Sequence, residues 1–117
     1  MEIYLVTQNQ GKLLAARKAF EGSNIALIPT QKDYTEIQAD SSLEIARFTA
    51  IEASKELKKP VIREDHSLFL NALQVPGPYM NYFEKRISGE SLLKILGPFD
   101  DRSGYFEVAS VYVEPNG

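Results

Sequence analysis

The order in which short apolar runs alternate with amphipathic segments is the feature that most constrains the fold of this chain. An apolar run at Ile3–Val6 is followed by a polar loop and then by Lys12–Glu21, where apolar residues recur at helical spacing until Gly22. A second strand is predicted at Asn24–Ile28. A second helix is predicted from Ser41, because Ser-x-x-Glu is the spacing of a capping box. This alternation predicts a sheet with helices packed against it.

The second half of the chain continues the sheet. The second helix ends near Pro60, and Val61 and Ile62 then begin a third strand, which runs into a polar segment. The remaining predicted elements are a short apolar strand at Leu68–Leu70, a rigid turn at Pro76–Pro78, helices around Met80–Ile87 and Glu90–Leu96, and a long strand at Tyr105–Val113. That last segment is apolar on both faces, which predicts a strand inside the sheet. The predicted class is α/β, or mixed α+β, with a central mixed sheet flanked by helices.

Length and charge restrict the class of protein further. With 117 residues, 44% of them hydrophobic, the chain is expected to form one domain over 1–117. The absence of cysteine excludes a disulfide scaffold and any cysteine-ligated metal. A net charge of −3 argues against a nucleic-acid partner, and no apolar run approaches the ~20 residues of a membrane span. The first residues lack the pattern of a signal peptide, so we expect a cytoplasmic protein.

A polar loop between the first strand and the first helix is a candidate phosphate site. It contains Thr7, Asn9 and Lys12. The N-terminus of a helix presents free N–H groups and the positive end of the helix dipole, both of which suit a phosphate. Most polar loops of this kind only cap the helix, and that alternative stays open on the local sequence.

Two adjacent carboxylates, Glu64 and Asp65, follow the third strand. Carboxylates are costly to bury unless they are paired or bind a cation, and Mg²⁺ prefers one or two carboxylates together with phosphate oxygens. The local sequence also permits a solvated turn at Asp65–Ser67. Three aromatic side chains, Tyr79, Tyr82 and Phe83, could stack on a base, but their spacing favours a helix face packed on the core.

Taken in order, these motifs resemble the Ham1 / inosine triphosphate pyrophosphatase family. The resemblance spans essentially the whole chain and includes the following segments: Thr7-x-Asn9-x-x-Lys12, Glu36-x-Gln38, Pro60-Val61-Ile62-x-Glu64-Asp65, Leu70-x-Ala72-Leu73, Pro76-Gly77-Pro78-Tyr79 and Gly97-x-Phe99-x-Asp101-Arg102-Ser103-Gly104-Tyr105. The acidic pair followed at this distance by a Pro-Gly-Pro-Tyr turn is a specific combination.

The resemblance implies a Mg²⁺-dependent hydrolase that converts non-standard purine triphosphates, such as ITP, dITP and XTP, to the monophosphate and pyrophosphate. It also implies a homodimer. By position, Thr7, Asn9 and Lys12 match the loop that binds the triphosphate. Glu36, Glu64 and Asp65 match metal-binding carboxylates, and Asp65 also matches the residue that activates water.

The chain differs from the family pattern at several positions. Gln8 stands where the family usually has glycine, Thr49 stands where it has a phosphate-binding lysine, and His66-Ser67 replaces a pair of small residues. The family also continues for a further third of its length, through the segments that bind the base. Thr49 and the absent C-terminal segment favour an alternative function, a catalytically inactive homologue that acts as a dimerising nucleotide- or ligand-binding module. The hydrolase is favoured by the intact residues Asn9, Lys12, Glu36, Glu64 and Asp65.

The end of the sequence gives a related expectation. Asn116-Gly117 is a strong signal for a hairpin turn, and no return strand follows it. An apolar strand with an open edge is prone to association. We therefore expect a strand from another chain, a covering element, or a continuation of the chain beside Tyr105–Val113.

Overall fold

Five strands and four helices make up the computed structural model, which describes residues 1–32, 34 and 36–116. The elements, in chain order, are β1 (Glu2–Leu5), α1 (Gln10–Ala19), β2 (Ala26–Pro29), α2 (Ser42–Leu57), β3 (Val61–Leu70), β4 (Pro76–Gly77), α3 (Met80–Arg86), α4 (Gly89–Leu96) and β5 (Gly104–Val113). They form one mixed sheet with flanking helices, so the predicted fold class is confirmed.

The three N-terminal strands are parallel, with β1 between β2 and β3. The chain crosses from β1 to β2 through α1, and then back over β1 to β3 through α2. Because such crossovers are right-handed, the two opposite crossings place α1 and α2 on opposite faces of the sheet. The loops that leave the carboxyl ends of β1 and β3 therefore diverge, which creates the crevice where sheets of this kind bind ligands.

Strand β3 is a single strand of ten residues, which corrects two sequence predictions. The separate strand at Leu68–Leu70 and the solvated turn at Asp65–Ser67 are both part of β3. Strand β5 pairs with β3 over its whole length, from Val61 opposite Val113 to Leu70 opposite Gly104. This long antiparallel pairing keeps the polar middle of β3 extended where local sequence preference indicates a turn.

The Pro76–Pro78 segment also differs from its prediction as a turn alone. Pro76 and Gly77 form the short strand β4, which pairs with the end of β3. Gly77 has a φ of +57°, and a Cβ at this position would lie 3.1 Å from the Phe69 ring. Glycine is therefore required here by both the backbone conformation and the packing.

The prediction that β5 lies inside the sheet is wrong for the described residues, because β3 is the only strand with which β5 pairs there. Its C-terminal half packs below α2, where Val111 and Val113 contact the core. The N-terminal half is exposed, with Phe106 63% and Val108 60% accessible. The even-numbered apolar residues of β5 point to one face of the sheet and form an exposed surface, named here the β5 face: Phe106, Val108 and Tyr112.

Capping confirms the predicted helix starts to within two residues. Ser41 accepts a hydrogen bond from the backbone N–H of Glu44 at the start of α2. Lys58, in the left-handed conformation, ends the same helix. One face of α2 carries small residues, and Ala50 and Ala53 pack on Val6 and Val61 to form the core. Within the described residues, no helix is long and apolar enough to span a membrane.

Candidate active site

The loop after β1 is both a helix cap and one wall of a cavity. Thr7 Oγ1 accepts a hydrogen bond from the Asn9 N–H at 3.0 Å, and Asn9 Oδ1 accepts one from the Lys12 N–H at 3.1 Å. The capping interpretation is therefore correct for Asn9. It does not exclude phosphate binding, because the same bonds fix the first turn of α1 at the mouth of the crevice.

The cavity has a volume of about 750 Å³ and lies beyond the carboxyl end of β1, where the strand order predicts a ligand. Polar and charged side chains dominate its lining, which consists of Thr7, Gln8, Asn9, Lys12, Tyr34, Glu36, Arg63, His66 and Glu84. Four residues that the sequence indicates, Thr7, Asn9, Lys12 and Glu36, thus meet in one cavity.

Arg63 is a site residue that the sequence reasoning missed. Its side chain is only 12% exposed, and its Nη2 donates to Glu36 Oε1 at 2.6 Å. Its Nη1 donates to the Val6 carbonyl at 2.7 Å. The available signal was a basic residue inside a buried strand, directly before two acidic residues, where a hydrophobic residue is the usual choice.

Asp65 lies deeper, on the face of β3 that packs against α2. It is 7% exposed and shares a hydrogen bond with the Ser42 hydroxyl, which in turn bonds to Ser67. Its Oδ2 is buried and has no hydrogen-bond partner among the described residues. Such an oxygen is costly to leave unpaired, which makes it a candidate ligand for a cation or a water.

Burial raises the pKa of the Asp65 carboxyl above its ordinary value of 3.8, and this is the dominant influence. The hydrogen bond from Ser42 lowers the pKa, the negative charge of Glu36 raises it, and the positive charges of Arg63 and Lys12 lower it. Asp65 is therefore electrostatically coupled to three residues that line the cavity. A carboxyl with a raised pKa is a better proton acceptor than an exposed one.

Glu64 is placed apart from Asp65, because neighbouring residues of a strand point to opposite faces. It lines a smaller cavity of about 370 Å³ beside α1, together with Gly11, Lys12, Ala15, Ala16 and Ala19. Within the described residues, no group of three or more metal-binding side chains is assembled. Glu36 therefore lines the larger cavity, Asp65 lies buried outside its lining but is electrostatically coupled to Glu36, and Glu64 lies on the opposite face of β3.

The donor set fits a magnesium ion that is shared with a substrate. Mg²⁺ uses one or two carboxylates and takes its other ligands from water and phosphate oxygens. Glu36 and Asp65 supply two carboxylates, and Asp65 Oδ2 is an unpaired buried ligand atom. The site therefore suits a cation that arrives with phosphates.

The aromatic residues after β4 were predicted to form a helix face packed on the core, and this prediction is wrong for two of them. Tyr79 and Tyr82 are exposed by 43% and 63%, so they do not pack on the core. They line a small cavity of about 160 Å³ with Glu36, Ile37, Gln38, Ile45 and Pro78. Arg86 lies over the Tyr82 ring, 4.6 Å from its centroid. Two aromatic surfaces are thus available close to Glu36.

Comparison with known proteins gives consistent matches along the chain. The sequence profile of the Ham1 family matches residues 3–117. A "dITP/XTP pyrophosphatase" of Ignicoccus hospitalis is 37% identical over 115 residues, which cover 97% of this chain and 61% of the relative. An "inosine triphosphate pyrophosphatase 2" of Trypanosoma cruzi is 38% identical over 112 residues, which cover 95% of this chain and 57% of the relative.

Solved structures show the same similarity. A HAM1 protein from Coxiella burnetii superposes with a TM-score of 0.84 at 26% identity, covering 97% of this chain and 64% of that one. The Ham1 protein of Staphylococcus aureus superposes with a TM-score of 0.82 at 28% identity, covering 100% and 65%. The chain thus spans about three fifths of the length of the curated relatives it matches.

Proposed function

Because the chain belongs to the Ham1 family, we propose that it is a Mg²⁺-dependent nucleoside triphosphate pyrophosphatase. It hydrolyses non-standard purine triphosphates, ITP, dITP and XTP, to the monophosphate and pyrophosphate. The observation that carries the proposal is Asp65, a buried carboxyl with an unpaired oxygen, coupled to Glu36 and Lys12 at the crevice of the sheet. The names of the relatives support the same substrate class.

The phosphate chain binds at the first turn of α1. The N–H groups of this turn and the Lys12 ammonium supply positive charge, and the bonds through Thr7 and Asn9 hold the turn in place before the substrate arrives. A site that is ordered in advance loses less entropy on binding. These residues bind and orient the triphosphate.

Glu36 and Asp65 hold Mg²⁺ in this proposal. When bound, the ion neutralises phosphate charge and polarises the bonds at phosphorus. Glu64 faces away from both residues, beside α1. We therefore assign the metal to Glu36 and Asp65, and expect Glu64→Gln to affect activity less than Glu36→Gln does.

Asp65 serves as the general base. It accepts a proton from the water that attacks the α-phosphorus, and the bond from that phosphorus to the α–β bridging oxygen breaks, which releases pyrophosphate. The Ser42 hydroxyl orients the carboxyl for this role.

We propose further that the protein is a cytoplasmic homodimer in which the β5 face takes part in the contact. The exposed apolar side chains of that face support an association surface. The absence of cysteine is consistent with a reducing compartment.

Pyrophosphate release from a substrate panel tests the activity. ITP, XTP, dITP, ATP and GTP are compared at equal concentration, with Mg²⁺ and with EDTA. We expect Mg²⁺-dependent release that is fastest with inosine and xanthine nucleotides. An Asp65→Asn variant is the matched control, and a parent rate no higher than that of this variant would rule out the proposed hydrolase.

The alternative is a nucleotide-binding module without catalysis. Its specific support is the ion pair between Arg63 and Glu36, which occupies one of the two proposed metal ligands. This alternative predicts binding of the same triphosphates with no Mg²⁺-dependent turnover. Calorimetry of ITP binding, run beside the release assay, separates the two functions.

A further inference from the structure

A buried positive charge lies in the wall of the proposed triphosphate cavity. Arg63 is in β3, two residues before Asp65, and its side chain is 12% exposed. A charged side chain with so little exposure to water is costly unless it is paired and hydrogen-bonded. Arginine is also the side chain best suited to bind phosphate oxygens in a planar, bidentate way.

Two contacts fix the guanidinium but leave donors unused. Nη1 donates to the Val6 carbonyl and Nη2 donates to Glu36 Oε1. A guanidinium has five N–H donors. Nε is buried and has no hydrogen-bond partner among the described residues. Arg63 is thus held in place by the end of β1 while it keeps capacity for an anion.

The partner of Arg63 is a proposed metal ligand. Glu36 Oε1 lies 2.6 Å from Nη2, so the guanidinium neutralises this carboxylate when the cavity holds no metal. A divalent cation on the same carboxylate would lie close to the guanidinium and be repelled by it. Glu36 is 42% exposed, whereas Arg63 is bonded to the backbone, so Glu36 is the partner that can move.

We propose that Arg63 is a resident cation of the cavity, which binds the phosphate chain and competes with the divalent cation for Glu36. This inference rests on the proposed function, because the phosphate chain is that of its substrate. Two consequences have opposite signs. Arg63 strengthens the binding of polyphosphate without metal, and it weakens the binding of a metal without polyphosphate.

Calorimetry with inorganic triphosphate in EDTA tests the first consequence. Arg63→Met removes the charge-assisted contacts and is expected to weaken binding by about tenfold or more. Arg63→Lys keeps the charge but loses the planar guanidinium, so its affinity for triphosphate should lie between those of the parent chain and Arg63→Met. Arg47→Gln is the matched control, because Arg47 lies on the groove between α2 and β5, away from the cavity, and its loss should leave the affinity unchanged.

Binding of Mn²⁺, followed by electron paramagnetic resonance without nucleotide, tests the second consequence. Arg63→Met should bind Mn²⁺ severalfold more tightly than the parent chain, and Glu36→Gln should bind it more weakly. Weaker binding of Mn²⁺ by Arg63→Met would overturn the proposed competition.

Glu36→Gln provides a test that leaves the arginine in place. It removes the negative charge that neutralises the guanidinium, so metal-free triphosphate should bind more tightly than to Glu84→Gln, which removes another carboxylate of the same cavity. The gain should vanish when Arg63→Met is combined with Glu36→Gln, as a double-mutant cycle requires for coupled residues. The comparison of Glu36→Gln with Glu84→Gln decides the question if Arg63→Met does not fold.

Equal triphosphate affinity for the parent and Arg63→Met, or an equal gain from Glu36→Gln and Glu84→Gln, would overturn the proposal. Failure of the proposed hydrolysis is a separate outcome. Triphosphate binding that depends on Arg63, in a chain that releases no pyrophosphate, supports the role of Arg63 and contradicts only the catalytic function.

Discussion

Asp65 combines a proposed catalytic role with a cost to stability. Its carboxyl is buried, and one of its oxygens has no partner in the described structure. Residues placed for function commonly carry such a cost, because the surroundings that make them reactive disfavour their charged form.

We predict that Asp65→Asn stabilises the fold at neutral pH by about 0.5–2 kcal/mol. Burial raises the pKa of Asp65 above 3.8 in the folded chain. At pH values just above 3.8, Asp65 is therefore protonated to a greater extent in the folded chain than in the unfolded chain. Stability of the parent therefore falls as the pH rises through that range. The gain from Asp65→Asn should be larger at pH 7 than at pH 3.5, as measured by urea unfolding.

Asp101→Asn is the control of opposite sign. The hydroxyl and backbone N–H of Ser103 donate to Asp101, and these bonds lower the pKa of its carboxyl. Its contribution to stability is present above the usual pKa and lost as the pH falls. A gain from Asp65→Asn that is the same at both pH values would contradict the role of burial.

At the scale of the element, the first turn of α1 joins helix stability to the proposed binding of phosphate. Asn9 is its N-cap, and Ser88 is the N-cap of α4, where its hydroxyl accepts from the Ser91 N–H. The two caps are alike in chemistry, but only Asn9 lines the cavity.

We predict that Asn9→Ala and Ser88→Ala each destabilise the fold by about 0.5–2 kcal/mol, the usual cost of a lost N-cap. Only Asn9→Ala should also weaken the binding of inorganic triphosphate, because it loosens the turn that faces the phosphates. Chemical unfolding and calorimetry measure the two effects. Equal weakening by Ser88→Ala would show that the effect is general instability.

The elements also show what the sequence could and could not predict. The helices and their caps were predictable, since Ser41 and Glu44 form a local pattern that the structure confirms. The extended conformation of the middle of β3 was not predictable, because a long-range pairing with β5 overrides the local preference for a turn. Thr7, Asn9, Lys12 and Glu36 were predicted as site residues through the resemblance to the Ham1 family, and the structure brings these four residues into the lining of one cavity.

Arg63 was missed for a related reason. Its two partners, Val6 and Glu36, lie 57 and 27 residues away in sequence. A basic residue in a strand has no local signal that says what it pairs with. The separation of Glu64 from Asp65 depends in the same way on β3 being a continuous strand, since only an extended chain sends neighbouring side chains to opposite faces.

At the scale of the whole molecule, the β5 face is the exposed apolar surface proposed to take part in self-association. Val108 is 60% exposed, so Val108→Lys should change the free energy of unfolding of the monomer by less than about 0.5 kcal/mol. We predict that the same change weakens self-association, since lysine on an edge strand opposes pairing. Sedimentation velocity over a range of protein concentrations measures the self-association of the parent chain and of Val108→Lys.

Leu14→Lys is the control for Val108→Lys, because Leu14 is 72% exposed on α1 and lies outside the β5 face. It should leave the association unchanged. A parent chain that stays monomeric at all concentrations, or equal effects of both variants, would contradict an association through the β5 face.

In the proposed mechanism, Asp65 directs water to the α-phosphorus of a triphosphate held at the first turn of α1. Hydrolysis of ITP in ¹⁸O-labelled water, with Mg²⁺, tests it directly by mass spectrometry of the products. We predict one labelled oxygen in inosine monophosphate, unlabelled pyrophosphate, and a rate that falls by about 10²–10⁴-fold in Asp65→Asn. Label in the pyrophosphate, release of inorganic phosphate with the diphosphate, or an unchanged rate in Asp65→Asn would contradict it.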